Sequence, residues 1–167
     1  MVQHGSLRDA SRGMRGSVLV GVIEPQRLFA PFLTQLLSGE GFSVVASLES
    51  MSLDEIGRNE PDVVFVDIDF IEVEPITAIR QLHGVVPSAT ICAYTGRTDH
   101  EWAAAIRSAG ANCVISKSAT PGEIVEAIQR ALHAGTFIDH RFEEADQADR
   151  VRTGPADDAV RDQTERS

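Results

Sequence analysis

Lysine is almost missing from this chain: Lys117 stands alone beside 14 Arg. Cysteine is nearly as scarce. Cys92 and Cys113 are too few and too far apart for a zinc or redox motif, and both sit in apolar runs where a free thiol simply packs. No apolar stretch approaches the roughly 20 residues of a membrane span. Near the N-terminus, Arg8, Arg12 and Arg15 enclose no apolar core, which excludes a secretory signal there, so the cytoplasm is the expected compartment. The five His show no ligand spacing, and no internal repeat is visible. Positive charge is also in deficit, with 15 basic residues against 25 acidic and a net charge of −10. An acidic body argues against direct nucleic-acid binding, which runs on Lys and Arg neutralising phosphates, and against adhesion to an anionic membrane.

Five short apolar runs alternate with five helix-like segments. The runs are SVLVGVI (17–23), FSVVAS (42–47), DVVFVD (62–67), TICAYT (90–95) and NCVIS (112–116). Continuous, mostly β-branched runs are how strands covered on both faces read. Between them, Ser52 with Glu55, Thr98 with Glu101, and Thr120 with Glu123 have capping-box spacing. Gly39, Gly110 and Gly135 stand where helices should stop. Pro31 removes a backbone donor from the first helix, which is expected to begin late or kink there. Strand–helix alternation five times over predicts an α/β fold, a five-stranded parallel sheet with helices on both faces. The predicted unit spans residues 17–138. Residues 1–16 and the acidic tail 139–167 are polar, lack a periodic apolar face and are expected to be disordered.

In open α/β sheets, ligands bind beyond the carboxyl ends of the strands. The residues there are Glu24 after the first strand, Ser47 after the second, Asp67 closing the third, Thr95 closing the fourth and Lys117 after the fifth. A carboxylate can attack phosphorus. A second acid helps hold a hard divalent cation, a hydroxyl donates to a phosphoryl oxygen, and an ammonium balances charge. Each residue also has an ordinary reading. Asp67 alone would be a turn residue, Glu24 a loop acid, Thr95 with Gly96 turn chemistry, and Lys117 a solvated cation. The shared rim favours function, and the lone Lys in an Arg-choosing chain adds weight. Asp69, Glu72 and Glu74 read as a solvated acidic loop or as a supplement to a cation pocket. Trp102 reads as core or as a partner anchor.

The segments VLVGVIEPQRLF, DVVFVDIDF, ICAYTG and SAGANCVISKSATPGEIVEAIQRALHAG, in this order over residues 17–138, resemble the receiver domains of bacterial two-component response regulators, especially those preceding helix-turn-helix output domains. That resemblance implies a flavodoxin-like (βα)5 three-layer sandwich with strand order 2-1-3-4-5. It implies Asp67 as phospho-acceptor, Thr95 as switch hydroxyl and Lys117 as the phosphate-pairing lysine. It places Mg2+ at Glu24, Asp67 and the Asp69 backbone carbonyl. The implied partners are a histidine kinase or phosphotransfer protein and an unknown output protein, since only 25 residues follow Phe142. At most, it implies self-catalysed phosphotransfer and autodephosphorylation at Asp67. The chain departs from the family pattern at Pro25, where a second acid is usual, at Ile71 and Pro75 in the loop after the acceptor, and at Val114, where an aromatic switch residue is usual; Tyr94 is its candidate substitute.

Pro25 supports an alternative, a pseudo-receiver binding module without phosphotransfer. A third reading comes from VVFVDIDF, which resembles the nucleophile segment of haloacid-dehalogenase-type phosphatases. That family needs an acidic pair after the lysine, and only Glu123 and Glu126 follow closely.

Overall fold

The structure, a computed structural model, describes residues 16–143 and 151–152. Nearly all of the segments expected to be disordered lie outside the described residues.

The strands are β1 (Leu19–Ile23), β2 (Ser43–Leu48), β3 (Val63–Asp67), β4 (Thr90–Thr95), β5 (Cys113–Ser116) and β6 (Phe137–Ile138). The helices are α1 (Ala30–Gly39), α2 (Leu53–Asn59), α3 (Pro75–Val85), α4 (His100–Ala109) and α5 (Pro121–Ala134). All ladders are parallel, in the order β2-β1-β3-β4-β5-β6. The five predicted strands and their order are present, and a sixth, two-residue strand extends the sheet beyond β5. Alternate residues supply opposite faces, because side chains along a strand point to opposite sides. Val64, Val66, Ile91, Ala93 and Val114 pack with Ile56, Ile79, Leu82, Ala103 and Ile106 of α2–α4. Val63, Phe65, Cys92, Tyr94, Cys113 and Ile115 pack with Leu33, Leu37, Ile124, Ile128 and Ala131 of α1 and α5. Both cysteines are therefore core residues. This is the flavodoxin-like three-layer sandwich.

Helix starts follow local chemistry. Pro31 lies in the first turn of α1, which indeed begins late, at Ala30. Thr120 and Glu123 form a complete capping box on α5. Ser52 precedes α2 but makes no side-chain cap. The cap of α4 is Asp99 rather than Thr98: its carboxylate accepts from the Trp102 amide at 2.9 Å, a charge-assisted bond stronger than a hydroxyl would make. Glu74 caps α3 by accepting from the Ile76 and Thr77 amides, with Pro75 in the first turn. Gly110 ends α4 with φ +125°, and a Cβ there would lie 2.9 Å from His83. Only glycine suits both demands.

The packed unit does not close at residue 138, where the sequence suggests a boundary. Phe142 is fully buried in the α2–α4 core, with no exposed surface. Asp139 continues the β6 ladder through its amide to the Val114 carbonyl, and its carboxylate accepts from the Ser116 amide. Arg141 joins that carboxylate to Glu123 of α5, each at 3.0 Å. Residues 137–142 thus cover the outer edge of β5, whose backbone groups would otherwise stand unpaired.

Candidate functional site

Parallel strands carry Glu24, Asp67, Thr95 and Lys117 to one end of the sheet. Asp67 closes β3 opposite Tyr94 of β4, and the Lys117 amide donates to the Thr95 carbonyl at 2.9 Å. Lys117 Nζ lies 2.8 Å from Asp67 Oδ2, and Asp67 is 1% exposed. Attraction to the ammonium offsets the cost of desolvating Asp67: removing Lys117 would leave that carboxylate buried without its counter-ion, whereas Lys117 would keep Asp69 at 3.1 Å. Glu24 is fully buried. Its Oε1 accepts from the Gln26 amide at 2.8 Å, and its Oε2 has no hydrogen-bond partner. Burial pushes Glu24 up to about 7 against the downward pull of the Gln26 amide, and the charge of Asp67 adds to the rise.

Of the two readings of Asp69, a solvated loop or a place beside the cation pocket, its carboxylate departs from the first and lies at the cleft. The Asp69 amide donates to Asp67 Oδ1 at 2.9 Å, folding the chain so that its own carboxylate enters the cleft. There it accepts from the Thr95 hydroxyl and from the Gly96 amide, both at 2.7 Å, and lies 3.1 Å from Lys117 Nζ. Burial raises its pKa, but these three donors together outweigh burial and hold it below the usual carboxylate value. Glu72 and Glu74 do stay out of the cleft: one accepts from the Met51 amide, and the other caps α3. The Asp-Ile-Asp spacing gave no signal for this placement, because Asp69 lies in a turn beyond the end of β3 rather than in extended strand. Phe70 had none either. Its exposed ring lies 4.4 Å from Lys117 Nζ, a cation–π contact over the cleft.

Ser47 lies on β2, the edge strand, away from these contacts, and its side chain is exposed. Tyr94 points into the α1/α5 core, stacked on Phe29 and tilted on Phe65. It therefore lies on the opposite face of the sheet from Val114, which belongs to the α2–α4 core. Trp102 is partly buried on α4, with the Arg97 guanidinium 4.0 Å over its ring.

The sequence profile of the response regulator receiver domain matches residues 20–129. This chain belongs to that family. It is 24% identical over 114 residues to the chemotaxis protein CheY of Bacillus subtilis (strain 168), covering 67% of this chain and 95% of that protein. It is 23% identical over 124 residues to the transcriptional regulatory protein DegU of Brevibacillus brevis, covering 72% of this chain and 52% of DegU, so the receiver spans about half of that relative. A crystal structure of a LuxR-family two-component response regulator from Aurantimonas sp. SI85-9A1 has the same fold. Its TM-score is 0.68 at 23% identity, with 81% of this chain and 99% of that one covered.

The family match displaces the phosphatase reading, and the site agrees. The acids that would have to hold its cation are engaged elsewhere, Glu123 with Thr120 and Arg141 and Glu126 with Arg130. Receivers act in two-component phosphorelay signalling, interact with histidine kinases and output domains, and typically bind Mg2+ at the phosphorylation site. Among the described residues, no helix is long and apolar enough to cross a membrane.

Proposed function

We infer that this receiver accepts a phosphoryl group on Asp67 from a phosphohistidine of a partner kinase or phosphotransfer protein, and signals through protein contacts. The observation that carries the reading is the 2.8 Å pair between Lys117 and the buried Asp67 at the carboxyl end of β3. In the transfer, an Asp67 oxygen attacks phosphorus while the P–N bond to the partner imidazole breaks; the imidazole nitrogen leaves with the electron pair and takes a proton from solvent. Charge on the transferring group is met by the Lys117 ammonium, the Thr95 hydroxyl and the Gly96 amide, so catalysis is positioning and electrostatics.

The cation implied by the family fits part of this donor set. The Glu24 and Asp67 carboxylates are hard oxygen donors, and the unpartnered Glu24 Oε2 is an oxygen in want of one. Glu24, Asp67 and the Asp69 carbonyl would hold Mg2+, which supplies positive charge to the phosphoryl oxygens. Pro25 contributes no acid to this set, where the family usually supplies a second one. That observation favours the second reading, a pseudo-receiver that binds partners without phosphotransfer.

Intact-mass measurement after incubation with phosphoramidate, with and without Mg2+, separates the two. The expected result is one added phosphoryl group, lost in Asp67→Asn. A chain that takes no label under any condition is the binding module.

A further inference from the structure

The donors assigned above to a phosphoryl group on Asp67 are already in use. The Thr95 hydroxyl, the Gly96 amide and the Lys117 ammonium all converge on the carboxylate of Asp69. A hydroxyl, an amide and an ammonium gathered on one anion is the donor set that a tetrahedral oxyanion at this rim would need. The carboxylate is held beside Asp67 from its own end as well, by the turn in which the Asp69 amide donates to Asp67 Oδ1.

We propose that the Asp69 carboxylate is a built-in occupant of the anion position beside Asp67, holding the Thr95–Gly96 loop inward in the unmodified protein and competing with an incoming phosphoryl group for the same donors. The proposal rests on the reading of Asp67 as phospho-acceptor. Its consequence is an exchange of anions. Thr95 is engaged before phosphorylation and engaged after it, so the Thr95 loop changes little. What moves is the displaced carboxylate, left beside a more highly charged group, and with it Phe70 on the rim. The segment is pinned further along by Glu72 on the Met51 amide and by Glu74 on α3, so the displacement is confined to residues 69–71. Asp69 is therefore a positioning residue that sets how readily Asp67 is modified.

Two readouts on the full chain test this, in the parent, Asp69→Ala and Asp69→Asn. The first is hydrogen exchange of the Gly96 amide by NMR in metal-free buffer. Loss of its charged acceptor should speed exchange about tenfold or more in the Ala variant and less in Asn, which keeps one acceptor oxygen. The second is the rate of phosphoramidate labelling with Mg2+, expected to rise about tenfold in the Ala variant because the donors no longer have to be vacated. Unchanged Gly96 exchange overturns the proposal. So does a parent that labels as fast as, or faster than, the Ala variant, for then Asp69 assists transfer or stands aside from it. If neither protein labels but Gly96 exchange rises in the variant, Asp69 remains the internal occupant and the phosphotransfer reading falls instead.

Discussion

At the residue scale, the cleft is a problem of too much negative charge in too little water. Glu24, Asp67 and Asp69 face one ammonium, and Glu24 keeps a buried oxygen without a partner. Glu24→Gln should relieve this. The amide oxygen can keep the Gln26 bond, and the N–H2 is neutral and a donor at every pH, whereas the buried Glu24 carboxyl, raised to about 7, must stay protonated or charge beside Asp67. In EDTA the variant is expected to be more stable than the parent by on the order of 1–2 kcal/mol, read from urea unfolding. A loss of stability would show that Glu24 is satisfied in a way its hydrogen bonds do not reveal. The positions of Glu24, Asp67, Thr95 and Lys117 were legible because each ends or follows a strand, and strand ends can be read from apolar runs. The Asp69 side chain was not, because its direction depends on a turn closed by a single amide-to-carboxylate bond, which leaves no pattern in composition or period. Phe70 belongs to the same turn and was hidden for the same reason.

At the element scale, β6 and the turn after it complete the outer side of the sheet. Two residues of strand are too few to read as an apolar run, and Phe142 sits among Asp139, His140, Arg141 and Glu143, where charge conceals a buried ring. Phe142→Ala is expected to cost about 3–5 kcal/mol in urea unfolding, the ordinary loss for a large aromatic taken from a core. The Arg141 bridge adds a dependence on acidity. Glu123 is held down to about 2 by the Thr120 amide and by Arg141. A carboxylate depressed in the folded state stabilises it above the ordinary pKa of 4.5, and that contribution is lost as pH falls from there toward 2. Arg141→Ala should therefore flatten the loss of stability over that window without abolishing it, since Thr120 remains. Equal slopes in the two proteins would mean that the bridge contributes nothing to folding. The helix starts show the same mixture of legible and hidden. Thr120 with Glu123 kept the capping box, whereas at α4 a neighbouring carboxylate displaced the predicted hydroxyl.

At the scale of the whole molecule, the α/β sandwich and its strand order were readable because buried parallel strands must be apolar on both faces, and that leaves continuous runs in the sequence. A net charge of −10 governs encounters with other macromolecules. Duplex DNA at about 0.15 M salt should pass without retention in a gel-shift assay, and retention would require a local basic face that the total charge conceals. The lone lysine has a practical consequence of the same reach. Lys117 lies in the cleft with 22% of its side chain exposed, and no other side chain in the sequence carries a primary amine. An amine-acylating reagent therefore has one side-chain target, and its rate of attack becomes a chemical reporter of whatever lies against that nitrogen.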